Sequence, residues 1–143
     1  MDAVQGLFLK RRIKKLDFNN NIRVKQAKLY TEMSSKSENL KNFEILHIPE
    51  EINSVYHHFV VLVDNRDDLR LRLWEEFKIE TLVHYTFSIE SSPFAKRIRF
   101  ASDLVSSKRI RERAVSLPIG PHVSSKEIVR IAESIEKALK LND

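Results

Sequence analysis

At 143 residues the chain is sized for one domain, or for a domain with a helical arm, and its 42% apolar content is enough for a packed core. With only Gly6 and Gly120, a phosphate-cradling glycine loop is nearly excluded, and the lack of cysteine excludes disulfides, thiolate metal sites and cysteine nucleophiles. The net charge of +5 gathers at Lys10, Arg11, Arg12, Lys14 and Lys15, at Lys96, Arg97 and Arg99, and at Lys108, Arg109, Arg111 and Arg113. No aromatic residues interleave with these clusters, so they read as solvated helix faces, and nucleic acid is not the expected partner.

In chain order, residues 2–33 predict a long helix, with Val4, Leu7, Phe8, Ile13, Leu16, Ala27 and Tyr30 at helical spacing. The run at 17–21 (DFNNN) is its weak point, because Asp and Asn compete for backbone hydrogen bonds. A polar connector over 33–42 follows, which sets residues 1–42 apart from a domain over 43–143. A short strand is expected over 43–48, ended by Pro49, and a stronger one over 56–63, where an apolar, β-branched and aromatic run suggests a central position. Asn65 is placed to cap a helix whose first turn carries Asp67 and Asp68, with Leu69, Leu71, Leu73, Trp74 and Phe77 as its apolar positions. A further strand is expected over 79–85, a short helix over 94–100 and a longer one over 103–115. Pro118 and Pro121 demand an extended stretch. Ser124 and Glu127 then form a capping box, and Ile128, Ile131, Ala132, Ile135, Ala138 and Leu139 make one stripe of a final helix.

This order predicts an α+β fold: a small mixed or antiparallel sheet of about three strands with helices on one face, a long N-terminal helix and a capped C-terminal helix. The strand–helix–strand unit over 56–85 is suited to a right-handed crossover. No run reaches the ~20 apolar residues of a membrane span, and the N-terminus does not read as a signal peptide, so a cytoplasmic location is expected.

Side-chain chemistry is sparse. His57 and His58 are expected on opposite faces of a strand, where they cannot share a metal ion. His84 and Tyr85 close a strand, a place from which side chains reach a ligand while the backbone stays fixed. His122 precedes the capped helix, whose N-terminus can attract an anion. The carboxylate pairs Asp67–Asp68 and Glu75–Glu76 sit on helix surfaces rather than in a cleft, so they do not suggest acid–base chemistry. No catalytic or metal residue is assigned.

Four segments resemble, in the right order, the C-terminal small domain of the DegT/DnrJ/StrS family of pyridoxal-phosphate-dependent aminotransferases, which act on nucleotide-linked keto-sugars. They are Met1–Leu16, similar to a helix linking the family's large and small domains; Val55–Val63; Ile79–Tyr85, with its terminal His-Tyr; and Ser116–His122 with the helix after it. The resemblance implies that the Schiff-base lysine and the acidic partner of the cofactor ring belong to the large domain, which this chain does not resemble. No cofactor is therefore expected in the chain itself, and His84, Tyr85 and His122 are left as substrate-side candidates. Departures lie at Lys78, where the family usually has Gly, at Thr86-Phe87, where a Pro is usual, and at Lys108, where a Glu is usual. The expectation is a free-standing small domain, not catalytic alone and able to pair as a homodimer. The alternatives are the small-domain subunit of a split sugar aminotransferase, completed by a separate large-domain chain and taking a nucleotide sugar, and a basic regulatory or nucleic-acid-binding module.

Overall fold

The computed structural model describes residues 2–37, 43–49, 51–100 and 103–140. Half of the connector expected over 33–42, residues 38–42, and Glu50 lie outside them. The chain begins with α1 (Ala3–Ile13) and α2 (Leu16–Lys36). The long helix is thus broken, but at Lys14 and Lys15 rather than at 17–21. Lys10 with Lys14, and Arg11 with Lys15, would stack like charges one turn apart, which disfavours a continuous helix. Asp17 instead falls in the first turn of α2, where a carboxylate suits the helix dipole.

Three strands, β1 (Phe43–Ile45), β2 (Phe59–Val63) and β3 (Ala114–Leu117), form an antiparallel sheet in the order β1-β2-β3. The sheet is therefore antiparallel throughout, and its third strand is not the one expected over 79–85. That segment contributes a single bridge, Leu82 to Ser116, at the free edge of β3. Its earlier backbone groups are already engaged: the Ile79 N–H donates to the Leu73 carbonyl at 2.8 Å, and the Thr81 carbonyl accepts from Arg70. Since Leu82 runs antiparallel to β3, and β3 to β2, the chain from β2 does cross over to a parallel segment, with β3 inserted between the two. The helix expected over 103–115 stops early, as α4 (Val105–Arg113), and passes directly into β3.

The register puts Phe43, Ile45, Phe59, Val61, Val63, Val115 and Leu117 on one face. That face meets the C-terminal half of α2, through Ala27 and Tyr30, together with Leu69 and Leu73 of α3 (Arg66–Glu75) and Ile128, Ile131, Ile135 and Ala138 of α5 (Ser125–Lys140). The Tyr30 ring stacks on Phe59 at 4.9 Å. The fold is α+β, with α2, α3 and α5 layered on one side of the sheet. Leu71 and Trp74, expected inside, are exposed. At the N-terminus of α3, Asn65 adopts a left-handed conformation and its side chain forms no capping bond. Ser124 and Glu127 do form the capping box on α5: the Ser124 N–H donates to Glu127 Oε2 at 2.7 Å, and the Glu127 N–H to Ser124 Oγ at 3.2 Å.

The basic clusters are partly structural. Arg113 joins Asp64 at 2.7 Å and Glu44 at 3.1 Å, and Arg111 donates to Ser88 Oγ at 2.9 Å. Among the described residues no helix is long and apolar enough to cross a membrane.

Candidate functional site

A cleft of about 520 Å³ opens where the Leu82 edge, the segment before β2 and the start of α5 converge. Its floor is Ser116, buried on the sheet face opposite the main core. His84 lies two residues beyond the bridged Leu82, so it projects on the same side as Ser116, and its Nδ1 shares a 2.8 Å hydrogen bond with Ser116 Oγ.

His57 and His58 were expected on a strand, facing apart. They sit instead in a bend before β2, where Tyr56 adopts φ 48° and the ladder has not begun. The alternation rule therefore does not apply to them. The His57 and His58 rings lie 4.3 Å apart, and His58 stacks on His84 at 3.8 Å with an interplanar angle of 24°. The three imidazoles make a column along one wall of the cleft. Partial desolvation by its neighbours, followed by the charges of His84 and His57, holds the exposed His58 below its ordinary pKa. The stacked faces of His58 and His84 cannot aim their lone pairs at one ion, and among the described residues no group of three or more His or carboxylate side chains is arranged to hold a metal.

The opposite wall is the turn 118–123, which α2 fixes from behind. The buried Gln26 amide donates to the Gly120 carbonyl at 2.9 Å and to the Val123 carbonyl at 2.6 Å, and its Oε1 accepts from the Gly120 N–H at 2.8 Å. Tyr30 Oη donates to the Pro118 carbonyl at 2.9 Å, and its burial pushes the phenol pKa far up, so it stays protonated. Gly120 has φ 142°, and a Cβ there would stand 2.9 Å from the His122 ring. Glycine is what allows the His122 ring to fold back over the turn.

Of the three residues singled out from sequence, His84 and His122 line this one cleft. Tyr85, joined to His84 by a cis peptide bond, falls instead at a neighbouring hollow of about 390 Å³ between residues 83–90 and α4. Sequence reasoning missed His57 and His58 as cleft residues, and also Arg23, Ser116 and Arg130. Only the adjacent His pair carries a signal, and β2 starts at Phe59, three residues later than the run from Tyr56 suggests, which leaves the pair in the bend ahead of it.

Residues 1–136 match the DegT/DnrJ/EryC1/StrS aminotransferase family, and the chain belongs to that family. It is 27% identical over 138 residues to the dTDP-3-amino-3,4,6-trideoxy-alpha-D-glucose transaminase of Streptomyces venezuelae, covering 96% of this chain and 35% of that one. It is 29% identical over 140 residues to the dTDP-3-amino-3,6-dideoxy-alpha-D-galactopyranose transaminase of Aneurinibacillus thermoaerophilus, covering 96% and 36%. Among solved structures, S. venezuelae DesV in complex with a ketimine intermediate superposes with a TM-score of 0.88 at 26% identity, over 98% of this chain and 37% of that one. The chain thus spans a little over a third of the length of these relatives.

Pyridoxal phosphate, the family's cofactor, needs a lysine amine for its aldehyde and a held carboxylate for its ring nitrogen. Lys78 is the lysine lining the cleft, and its Nζ sits over the Trp74 ring at 5.9 Å. The cleft carboxylates, Glu80 and Glu127, are exposed, and Glu127 is committed to the Ser124 amide. These residues do not fit the cofactor.

Proposed function

We propose that the chain supplies one wall of the substrate cleft of a pyridoxal-phosphate-dependent sugar aminotransferase and is not catalytic alone. The convergence of His84 and His122, distant in sequence, on one cleft carries this reading. In it, His84, oriented by Ser116, and His122, held by the Gly120 turn, bind and orient a nucleotide-linked sugar. Tyr85 serves from the adjoining hollow. The lysine and acidic residue that work on the cofactor belong to a large domain, in the same or a separate polypeptide.

The test has two arms. The 143-residue chain mixed with pyridoxal phosphate is expected to show no lysine-aldimine absorption band, and the appearance of one sinks the reading. Combined with a large domain of the family, it is expected to restore amino transfer to a keto-sugar nucleotide, with His84→Ala lowering kcat/KM by at least about tenfold. Unchanged kcat/KM in that variant removes His84 from the role.

The exposed apolar residues of α1 favour a second element of the same proposal, a docking partner. Val4, Leu7, Phe8 and Ile13 are all at least 60% exposed, and α1 buries no residue of its own. A large domain or a second copy of the chain in a symmetric dimer would cover them. Sedimentation showing a strict monomer, alone and with a large domain, counts against it.

A further inference from the structure

We propose that α1 is a docking arm for an acidic amphipathic helix of a partner polypeptide. The partner's apolar seam seats on Gly6, Leu9, Ile13 and Leu16, and carboxylates on its flanks pair with Lys10 and Arg12. This deepens the docking element of the proposed function and rests on it.

α1 carries its own start signal. Asp2 accepts the Val4 N–H at 2.7 Å and Gln5 closes the capping box, yet no residue of the helix is buried. At about 100° per residue, Gly6, Leu9, Ile13 and Leu16 fall within about 80° of arc, while Val4 and Leu7 lie on the far side. The join between α1 and α2 keeps near-helical dihedrals, with φ −64° and ψ −20° at Lys14 and φ −105° and ψ 4° at Lys15, so Leu16 stays in the row. Steps of three and four carry the row on through Asn20 and Arg23 to Ala27 and Tyr30, which α2 buries against the sheet. Leu9, Ile13 and Leu16 are 50%, 66% and 50% exposed. The face that packs on the body thus runs past it uncovered, with the a and d spacing of a coiled-coil seam.

The charges beside the seam choose the occupant. Lys10 and Arg12, both exposed, flank it on either side, at the positions that set partner choice in paired helices. Among the described residues neither pairs with a carboxylate, and Arg12 lies over the Phe8 ring at 5.0 Å instead. Arg66, Arg72 and Arg113 of the body, by contrast, each have one. A second copy is a poor occupant. In a parallel pair the five cations of residues 10–15 would stand level with those of the other chain. In an antiparallel pair with Leu9 opposite Ile13, Lys10 would face Lys10 and Arg12 would face Arg12. A lipid surface suits a helix with a single apolar side, whereas Val4 and Leu7 are apolar and exposed on the other. A helix with an apolar seam and Glu on its flanks answers both the row and the charges.

The probe is a pair of synthetic three-heptad peptides with Leu at every a and d position, one carrying Glu and the other Lys at every e and g. Each is titrated into the 143-residue chain by isothermal calorimetry. We expect the Glu peptide to bind at least about tenfold more tightly than the Lys peptide, with the gap narrowing as salt shortens the Debye length from about 10 Å at 0.1 M to about 3 Å at 1 M. Leu9→Ser with Ile13→Ser should abolish binding, and Val4→Ser with Leu7→Ser should leave it unchanged. Lys10→Glu with Arg12→Glu should reverse the preference between the peptides. All six positions are exposed, so circular dichroism should show the fold intact in each variant. Equal affinity for the two peptides, an unreversed preference in the charge-swapped chain, or binding of neither peptide overturns the inference. Self-association of the chain through Leu9 and Ile13 overturns it in favour of a second copy, and tighter binding to phosphatidylglycerol vesicles than to the Glu peptide overturns it in favour of a lipid surface. No large domain or cofactor enters these measurements, so their failure leaves the reconstitution test standing, and failed reconstitution leaves the docking face to be judged alone.

Discussion

Helices α1 and α5 are both rich in apolar residues and behave differently in the fold. Each carries several apolar residues and has basic residues in its last turn, but those of α5 form one stripe while those of α1 spread around the helix. On α5 the stripe is covered: Ile128, Ile131, Ile135 and Ala138 are at most 3% exposed against the sheet and α2. On α1 the corresponding residues stand in solvent. Helical periodicity establishes that one side of a helix seeks a partner, but not whether that partner lies within the same stretch of chain. α2 joins the two cases. Its first turns continue the exposed run of α1 through Leu16 and Phe18, while Gln26, Ala27 and Tyr30 enter the core and brace the cleft.

The contrast can be broken most severely at its ends. Ile128→Ala should cost about 2–5 kcal/mol in chemical denaturation, because a fully buried side chain leaves a cavity. Phe8→Ala should cost less than about 0.5 kcal/mol in the chain alone, as an exposed site does, yet weaken any self-association seen by sedimentation. Equal losses at the two positions would mean that α1 is covered after all.

Gln26→Ala is next. It strands the buried Gly120 N–H and frees two carbonyls, and should cost about 2–3 kcal/mol while loosening the His122 turn. His122 ring signals that are unchanged in this variant would show that the turn holds itself. Smaller still is Lys78→Gly. Lys78 has φ 54° at the end of α3, where a side chain is strained, so glycine there should stabilise the chain by about 0.5–1 kcal/mol.

The last concerns pH. Glu127 lies below the usual carboxylate range because it accepts the Ser124 backbone N–H and is also bonded by the Ser124 side chain. A depressed folded-state pKa means that this contribution is present above the unfolded value, about 4.5, and is lost as pH falls through the lower, folded one. Glu127→Gln should remove that part of the acid sensitivity, as measured by thermal melts from pH 6 down to pH 3.

The errors of sequence reading fall where local signals meet tertiary ones. Residues 79–85 have the composition of a strand, but two of their backbone groups are taken by α3, so the segment pairs only at Leu82. Residues 114–117 lack any turn signal separating them from α4, yet they complete the sheet, because β2 needs a second neighbour and their register buries Val115 and Leu117. His57 and His58 read as strand residues until Tyr56 turns the chain ahead of Phe59.

By itself the sequence determined the fold class, the capped α5 with its buried stripe, the central place of β2 and the family lineage. These follow from periodicity, cap chemistry and apolar runs, all of them written locally. Only the tertiary structure decided which segment became the third strand, that α1 stays uncovered, and that His57, His58, His84, Ser116 and His122 surround one cleft. Those outcomes depend on which distant backbone groups and faces compete for the same partners, and spacing along a chain does not encode that competition.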